Sequence, residues 1–450
     1  MSERNTDHTS PLEASISRET LIKKGAALAG AGALVATVAP GLAGATINNQ
    51  APFYVTGRAQ VPLTFAVWGG ATDLAPLVPI MKKFMALNPG INVKLITISA
   101  QGWASLFEVL LTRIAAGDAP DMTRIAIEGV ALFGTKGLAL PLNDFMKGDS
   151  AYVEELRSDT VPAMWQALAY KGKQLGLPFS YNNMMTWYRA DLIKRPSTNW
   201  TGDDFLAMCA QLKKQGKYGT NLWGGGLFGL EAWSLSAGAN LLSADWTKST
   251  ALDKGNLVAW EFMNDLVNKY HYAPHPTATF PQASFFESGR LGTFLAGRWP
   301  LQQLLLDKLP GNKMDVQFFP VLNGGPRKVI FGIDGFPIIK SCKYPEAAWK
   351  LAKFMSSKET MTSWMRNGTN IPCRRSLAYA QWMNPPVHYK DFFDSLLGTA
   401  AVPVTSPPQY NEIDTAVTKW YSKMLSTQVT PKAALTGLDK DITAILSKPV

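Results

Sequence analysis

Three carboxylates, two histidines and a glycine string are the residues whose types and spacing raise the question of chemistry. Glycoside hydrolysis needs two carboxyl groups flanking one bond, and Glu128 with Glu231 or Asp334 would have to supply them. Each of these acids also has a binding reading, since an ionised carboxylate is acceptor-only and suits sugar hydroxyls. No G-x-S-x-G nucleophile string occurs. His271 and His275 have H-x-x-x-H spacing, but Pro274 intervenes and keeps both from one regular helix turn, and no cysteine lies close. Gly224-x-Gly226-x-x-Gly229 has the form of a dinucleotide fingerprint, yet no strand run precedes it and no clean helix opens from it. It reads as a flexible loop. No catalytic residue, metal or cofactor is therefore expected. The tryptophans remain: fourteen of them allow several flat platforms, and indole faces with carboxylates and amides fit the weakly apolar faces and hydroxyl-bearing edges of a sugar.

The elements that must position these groups follow from periodicity. Leu63, Phe65 and Val67 alternate as a strand ending at Trp68-Gly69-Gly70. Leu74, Leu77, Val78, Met81, Phe84 and Met85 then form a helical stripe stopped by Asn88-Pro89-Gly90, and Ile91, Val93 and Leu95 start a second strand. In such a βαβ unit the ligand lies beyond the strand ends, where Trp68 sits. Trp103, Leu106, Phe107, Leu110, Leu111 and Ile114 give another helix, ended by Gly117 and kept from resuming by Pro120. A strand over 122–127 should then deliver Glu128 in a loop. Gly172 between two lysines marks a tight turn, Leu175, Leu177 and Phe179 alternate as a strand up to Pro178, and the patch Ser180-Tyr181-Asn182-Asn183 faces a gap between two compact units. Thr201-Gly202-Asp203-Asp204 opens a helix with Phe205, Met208, Cys209 and Leu212 on its buried face. Trp233 lines a cleft or fills a core. Strands are expected over 314–320 and 332–339, a helix starts at Pro345, and 406–410 is a rigid loop ending in Tyr410.

Several strings resemble family 1 extracellular solute-binding proteins, the sugar-capturing components of bacterial ABC importers. They are Gly172-Lys-Gln-Leu-Gly-Leu-Pro178 with Tyr188-Arg-Ala-Asp-Leu192, Asn88-Pro-Gly-Ile-Asn-Val93, Ala115-Ala-Gly-Asp-Ala-Pro-Asp121, Phe294-Leu-Ala-Gly-Arg-Trp-Pro300, Pro345-Glu-Ala-Ala-Trp349 and Asn370-Ile-Pro-Cys-Arg374. The resemblance covers most of 62–376 and weakens afterwards. It implies an α/β, two-lobed periplasmic-binding-protein-like fold (type II, Venus-flytrap) with three interlobe crossings, at 178–183, 315–320 and 371–374. Lobe 1 would be 62–178 plus 321–372, and lobe 2 would be 183–316 plus 373–450. The expected ligand contacts are Trp68, Glu128, Tyr181, Asn182, Trp233, Arg298, Trp299, Asp334 and Tyr410, with Trp299 stacking on the ligand, Trp68 flanking it and Glu128 accepting hydrogen bonds. The partners implied are a sugar or oligosaccharide and the permease subunits of an ABC importer, with no nucleic acid, and the protein itself a monomer.

The 450 residues allow two or three domains, and 46% hydrophobic with 17% charged residues is a globular composition. The formal charge is +10. Residues 1–45 hold four basic and four acidic residues, so the mature chain keeps that excess. No run of five basic residues occurs, which argues against a nucleic-acid stripe and leaves open an anionic solute such as a glycerol phosphodiester. Arg18, Lys23 and Lys24, the uncharged run 25–40 and Ala43-Gly44-Ala45 have the order of a secretory signal, with the mature chain starting near Thr46 and opening on an N-terminal linker, 46–61. Glu19 stands where a twin-arginine signal has its second arginine. Three cysteines (Cys209, Cys342, Cys373) leave one unpaired whatever bridges form. Three buried thiols are the expectation, with a Cys342–Cys373 bridge open to an oxidising compartment.

Overall fold

The computed structural model describes residues 46–47 and 61–449 apart from 71–73, 101, 223–225, 277–280, 323, 326, 367, 369 and 398–399. The expected export segment and most of the following linker lie outside the described residues. Strand β1 (Thr46–Ile47) pairs antiparallel with β3 (Ile91–Ser99), which runs parallel to β2 (Val61–Trp68), and β2 pairs parallel with β4 (Met122–Thr123). Helix α1 (Leu77–Leu87) connects β2 to β3 and buries Leu77, Ile80, Met81 and Phe84. These fall at i, i+3, i+4 and i+7, one face of a helix, and each buried side chain contributes about 1.5–3 kcal/mol of transfer free energy. Helix α2 (Trp103–Ala115) buries one face as well, through Leu106, Phe107, Val109 and Leu110.

Arg124 alone separates β4 from β5 (Ile125–Ala126), which lies in a different sheet. Helix α3 (Ile127–Thr135) follows at once and buries every residue from Ile127 to Phe133. The expected strand to 127 therefore stops early, and Glu128 stands in the first turn of a helix rather than in a loop. A helix buried on all sides carries no amphipathic spacing for the sequence to show. The hairpin of β6 (Ala169–Tyr170) and β7 (Lys173–Gln174) turns through Lys171 and Gly172, both at positive φ (48° and 76°), as a two-residue hairpin requires.

The next strand departs from expectation. Residues 175–177 lie outside any strand, and β8 begins at Pro178 and runs through the polar patch to Asn183. Proline at the first position of a strand costs no ladder donor inside it. β8 is central in a sheet ordered β13-β8-β12-β14, where β12 is Val329–Gly335, β13 is Ile371–Pro372 and β14 is Ala401–Pro403, and β5 also pairs with β12. A Cβ at Gly335 would stand 2.6 Å from the Leu177 carbonyl oxygen, so the bulge at Asp334–Gly335 needs glycine. Met184 alone separates β8 from β9 (Met185–Arg189), the middle of a third sheet, antiparallel β10-β9-β11, with β10 at Thr293–Ala296 and β11 at Met314–Gln317. The chain thus passes from the central sheet to this one at 184 and returns between β11 and β12.

Helix α4 (Gly202–Lys214) starts at the expected capping box, in which Thr201 accepts from the Asp204 amide and the Asp204 carboxylate accepts from the Thr201 amide. Helix α5 (Leu227–Ser236) opens directly from Gly226, so a helix does follow the glycine string. Its residues from Gly229 to Ser236 are all buried, and again no apolar stripe announced it. Helix α6 (Lys254–Asn264) packs on α5. Helix α7 (Pro345–Met355) and α8 (Lys358–Met365) precede β13, and α9 (Tyr410–Leu425) with α10 (Pro431–Leu446) close the chain. Helix α9 lies against α2, α3 and α5. The three cysteines are free thiols, with Cys209 and Cys373 buried and Cys342 partly so.

Candidate functional site

Successive side chains of a strand point to opposite faces of its sheet. Asn182 pairs with Gly332 and Ser180 with Asp334, so these four share one face of the central sheet. A chain of hydrogen bonds runs across it. The Arg124 guanidinium donates to Asp334 Oδ2 at 2.6 Å and reaches Ser180 Oγ at 3.5 Å, and Ser180 Oγ donates to Asp334 at 2.8 Å. Asn370 Nδ2 donates to Ser180 Oγ (2.9 Å), Asn182 Nδ2 to Asn370 Oδ1 (2.9 Å), and the Arg298 amide to Asn182 Oδ1 (2.8 Å). The track begins beside the first sheet and ends on the segment that leaves β10. Arg124, Asn182 and Asn370 stay partly exposed along it.

Aromatic rings stand at both ends. Trp68, at the end of β2, donates its indole N–H to the Ala100 carbonyl (3.0 Å), and its ring lies 4.9 Å from that of Trp103. The Arg124 guanidinium sits 5.8 Å from the Trp103 ring and 5.3 Å from that of Trp364. At the other end Trp299 lies 6.1 Å from Phe228 of α5. A Cβ at Gly297 would meet the Trp299 ring at 2.2 Å and Asn182 Cβ at 2.7 Å, so the indole packs against backbone that only glycine leaves clear.

Glu128 comes to the same place from α3. A Cβ built on Gly332 would have Glu128 Oε1 3.9 Å away and the Phe228 ring 3.8 Å away. The carboxyl is 3% exposed, and its Oε2 is buried without a hydrogen-bond partner. Burial, followed by the charges of Asp414, Asp334 and Glu231, pushes its pKa up to about 8. Glu231 on α5 is also buried, which raises it to about 7, but both of its oxygens accept from Thr405, Oε2 from the amide at 3.0 Å and Oε1 from the hydroxyl. Asp414 on α9 accepts from the Leu227 amide at 2.7 Å, the first turn of α5, and from the Tyr410 hydroxyl at 3.4 Å. Burial raises Asp414 as well. With this carboxylate already at the helix start, α5 does not present the open N-terminus by which glycine strings hold phosphate.

The structure brings Trp68, Glu128, Asn182, Trp299, Asp334 and Tyr410 toward this region and sends the other three expected residues elsewhere. Tyr181 neighbours Asn182 on one strand and therefore faces away from it. Its ring is buried 6.3 Å from Phe393, and its pairing partners are Ile333 and Ile371. Trp233 is 1% exposed inside an aromatic core with Phe319 (4.7 Å), Phe262 (5.3 Å) and Phe205 (5.9 Å). The Arg298 side chain is 1% exposed and donates to the carbonyls of Met365, Asn370 and Met383, clamping the segment around β13. Only its backbone reaches Asn182. Sequence reading put Ser180 in the gap-facing patch without naming it a contact, and missed Arg124, Asn370, Trp103, Phe228 and Asp414. Arg124 carried one signal, being with Glu128 one of only two charged residues in the otherwise largely apolar run 122–133. Among the described residues no group of His, Cys, Asp and Glu is arranged to hold a metal ion.

Open sheets joined through adjacent crossings, with polar groups and tryptophans where the halves meet, define a two-lobed binding protein. The chain belongs to the bacterial extracellular solute-binding protein family, whose model matches residues 68–362. Among solved structures it resembles the ABC substrate-binding protein Lmo0181 from Listeria monocytogenes, in complex with cycloalternan, at 24% identity and a TM-score of 0.75, covering 86% of this chain and 98% of that one. Maltose-bound MalE3 from T. maritima is 21% identical with a TM-score of 0.73, covering 85% and 99%. A solute-binding protein from Agrobacterium radiobacter K84 in complex with ribitol is 20% identical with a TM-score of 0.72, covering 86% and 100%.

Proposed function

We propose that this protein captures a saccharide or sugar alcohol between its lobes and hands it to the permease of an ABC importer. The observation that carries this reading is the hydrogen-bonded track Arg124–Asp334–Ser180–Asn370–Asn182, bounded by Trp68 and Trp103 at one end and Trp299 at the other. Amides, a hydroxyl and a carboxyl address sugar edges, and indole planes address sugar faces. The cycloalternan, maltose and ribitol bound to structural relatives support the same class. An anionic solute is disfavoured. Arg124 is paired with Asp334, Arg298 is turned to carbonyls, and the group left uncompensated is a carboxyl.

Capture needs no covalent step. Asp334 is held in an ion pair and Glu231 is engaged by Thr405, so neither stands ready as a second catalytic carboxyl beside Glu128. The lobes, 62–178 plus 321–372 and 183–316 plus 373–450, would close about hinges at 178–183, 315–320 and 371–374, and the permease would recognise the closed form. The protein would act as an exported monomer, its mature chain starting near Thr46. Among the described residues no helix is long and apolar enough to cross a membrane.

A thermal-shift screen of saccharides and sugar alcohols tests this. A ligand that binds only the folded state at a hundred times its Kd adds about 2.7 kcal/mol to stability, so a true ligand should raise Tm by several degrees. Sugar phosphates that shift Tm while neutral sugars and polyols do not would overturn the reading.

A further inference from the structure

The carboxyls gathered where the lobes meet differ in what they still lack. Asp334 is paired with Arg124, Glu231 accepts from Thr405 through both oxygens, and Asp414 accepts from the Leu227 amide. Glu128 is buried with Oε2 unpartnered, beside Gly332 and Phe228. The charges that act most on it are those of Asp414, Asp334 and Glu231, all acidic. A ligand hydroxyl would give Oε2 a donor and leave that surplus of acid unanswered. An ammonium gives Oε2 a donor and takes the place of the proton that Glu128, its pKa pushed up to about 8, otherwise holds at neutral pH, in a setting where burial strengthens the pairing. The ring of Phe228 near it, with Trp299 6.1 Å from that ring, suits a cation as well as a sugar face. We infer that the saccharide taken by this cleft carries a protonated amine, seated against Glu128. The inference rests on the saccharide reading above and narrows it to aminated sugars.

Titration calorimetry of the mature protein at pH 7 tests it with matched sets of mono- and disaccharides, each as the free amine, the N-acetyl form and the parent hydroxyl form. Glucosamine disaccharide, its diacetyl form and cellobiose make one such set. Within the sets that bind, the amine should be at least about tenfold tighter than both companions, the scale of one charge pair. Glu128→Gln keeps the size and removes the carboxyl that could ionise against a bound ammonium, so the amine-to-hydroxyl ratio should fall toward one, while Glu128→Asp keeps part of the preference. Melting curves establish that both variants fold, and the ratio is read on each protein by itself. Equal affinity within the sets, or a ratio that Glu128→Gln leaves intact, overturns the amine inference and spares the saccharide reading. Silence from every member of every set overturns the amine inference, and the thermal-shift screen then decides the saccharide reading by itself.

Discussion

Glu231 and Trp233 lie two residues apart on α5, whereas Glu128 and Trp299 each stand near Phe228 of the same helix. The two pairs have the same residue types and opposite surroundings. Trp233 is enclosed by three phenylalanines and Glu231 has a donor on each oxygen. Trp299 keeps a partly exposed face, and Glu128 keeps a buried oxygen without a donor. The first region is complete as it stands. The second is complete only with something added, since a buried polar atom left unpaired costs about 1–3 kcal/mol. An unpartnered buried atom is not by itself the distinction, since Ser234 Oγ on α5 is one too; what sets Glu128 apart is that its unpartnered atom belongs to a carboxyl.

The largest effect should come from the first pair. Trp233→Ala empties a closed aromatic core and should cost about 3–5 kcal/mol, seen as a much lower midpoint in denaturant melts, while the folded fraction keeps its ligand affinity. Normal stability with lost affinity would put Trp233 in the cleft after all.

Next is the pH response of the two acids. Glu128 titrates near 8 and Glu231 near 7 in the folded state, against about 4.5 for the ordinary side chain. A carboxyl whose folded pKa is raised binds more protons folded than unfolded, so its contribution is fully present below about 4.5 and is lost as pH rises through the folded value. Each unit is worth about 1.36 kcal/mol, which makes the loss between pH 5 and 8 a matter of several kcal/mol. Glu128→Gln should abolish much of that fall and be more stable than the native protein at pH 8. Glu231→Gln should instead cost about 1 kcal/mol even at pH 5, because an amide offers one acceptor where Thr405 uses two. If the two variants have the same pH profile, the contrast between the regions fails.

Trp299→Ala follows. Losing a central aromatic anchor commonly costs about 2 kcal/mol or more of binding, at least roughly twenty-fold in Kd, with little change in Tm because the ring is partly exposed. An early melt with normal affinity would make it a core residue like Trp233.

The sequence separated these regions only in part. Helices with one wet face, such as α1, α2 and α7, were legible because burial on one side leaves a 3.6-residue period. Helices α3 and α5 were not, because burial on every side erases the period, and these two carry Glu128, Phe228, Glu231 and Trp233. Local strings placed Trp68 and Trp299 at strand ends. Ser180 and Asn370 could not be singled out, because their roles depend on strand register: Ser180 opposite Asp334, and Asn370 one residue before Ile371, the partner of Tyr181. Register also decides that Asn182 faces the site and Tyr181 does not. No single-strand reading contains that choice.

The smallest effect joins the two regions. Asp414 on α9 accepts from the Leu227 amide and Thr418 from the Gly226 amide, so α9 supplies the start of α5 with acceptors that its own sequence lacks. The same carboxylate is the foremost charge raising Glu128. Asp414→Ala should therefore cost about 1 kcal/mol as the loss of a helix cap. It should also move the fall in stability governed by Glu128 to lower pH, since a like charge has been withdrawn. Asp414→Asn should recover most of the cap, because an amide oxygen still accepts from Leu227, yet show the same displaced pH profile, because the charge stays absent. Denaturant melts of the three proteins at pH 5, 6, 7 and 8 read both quantities. A profile that Asp414→Asn leaves in place would mean that Asp414 acts on Glu128 through the packing of α9 and α5 rather than through its charge.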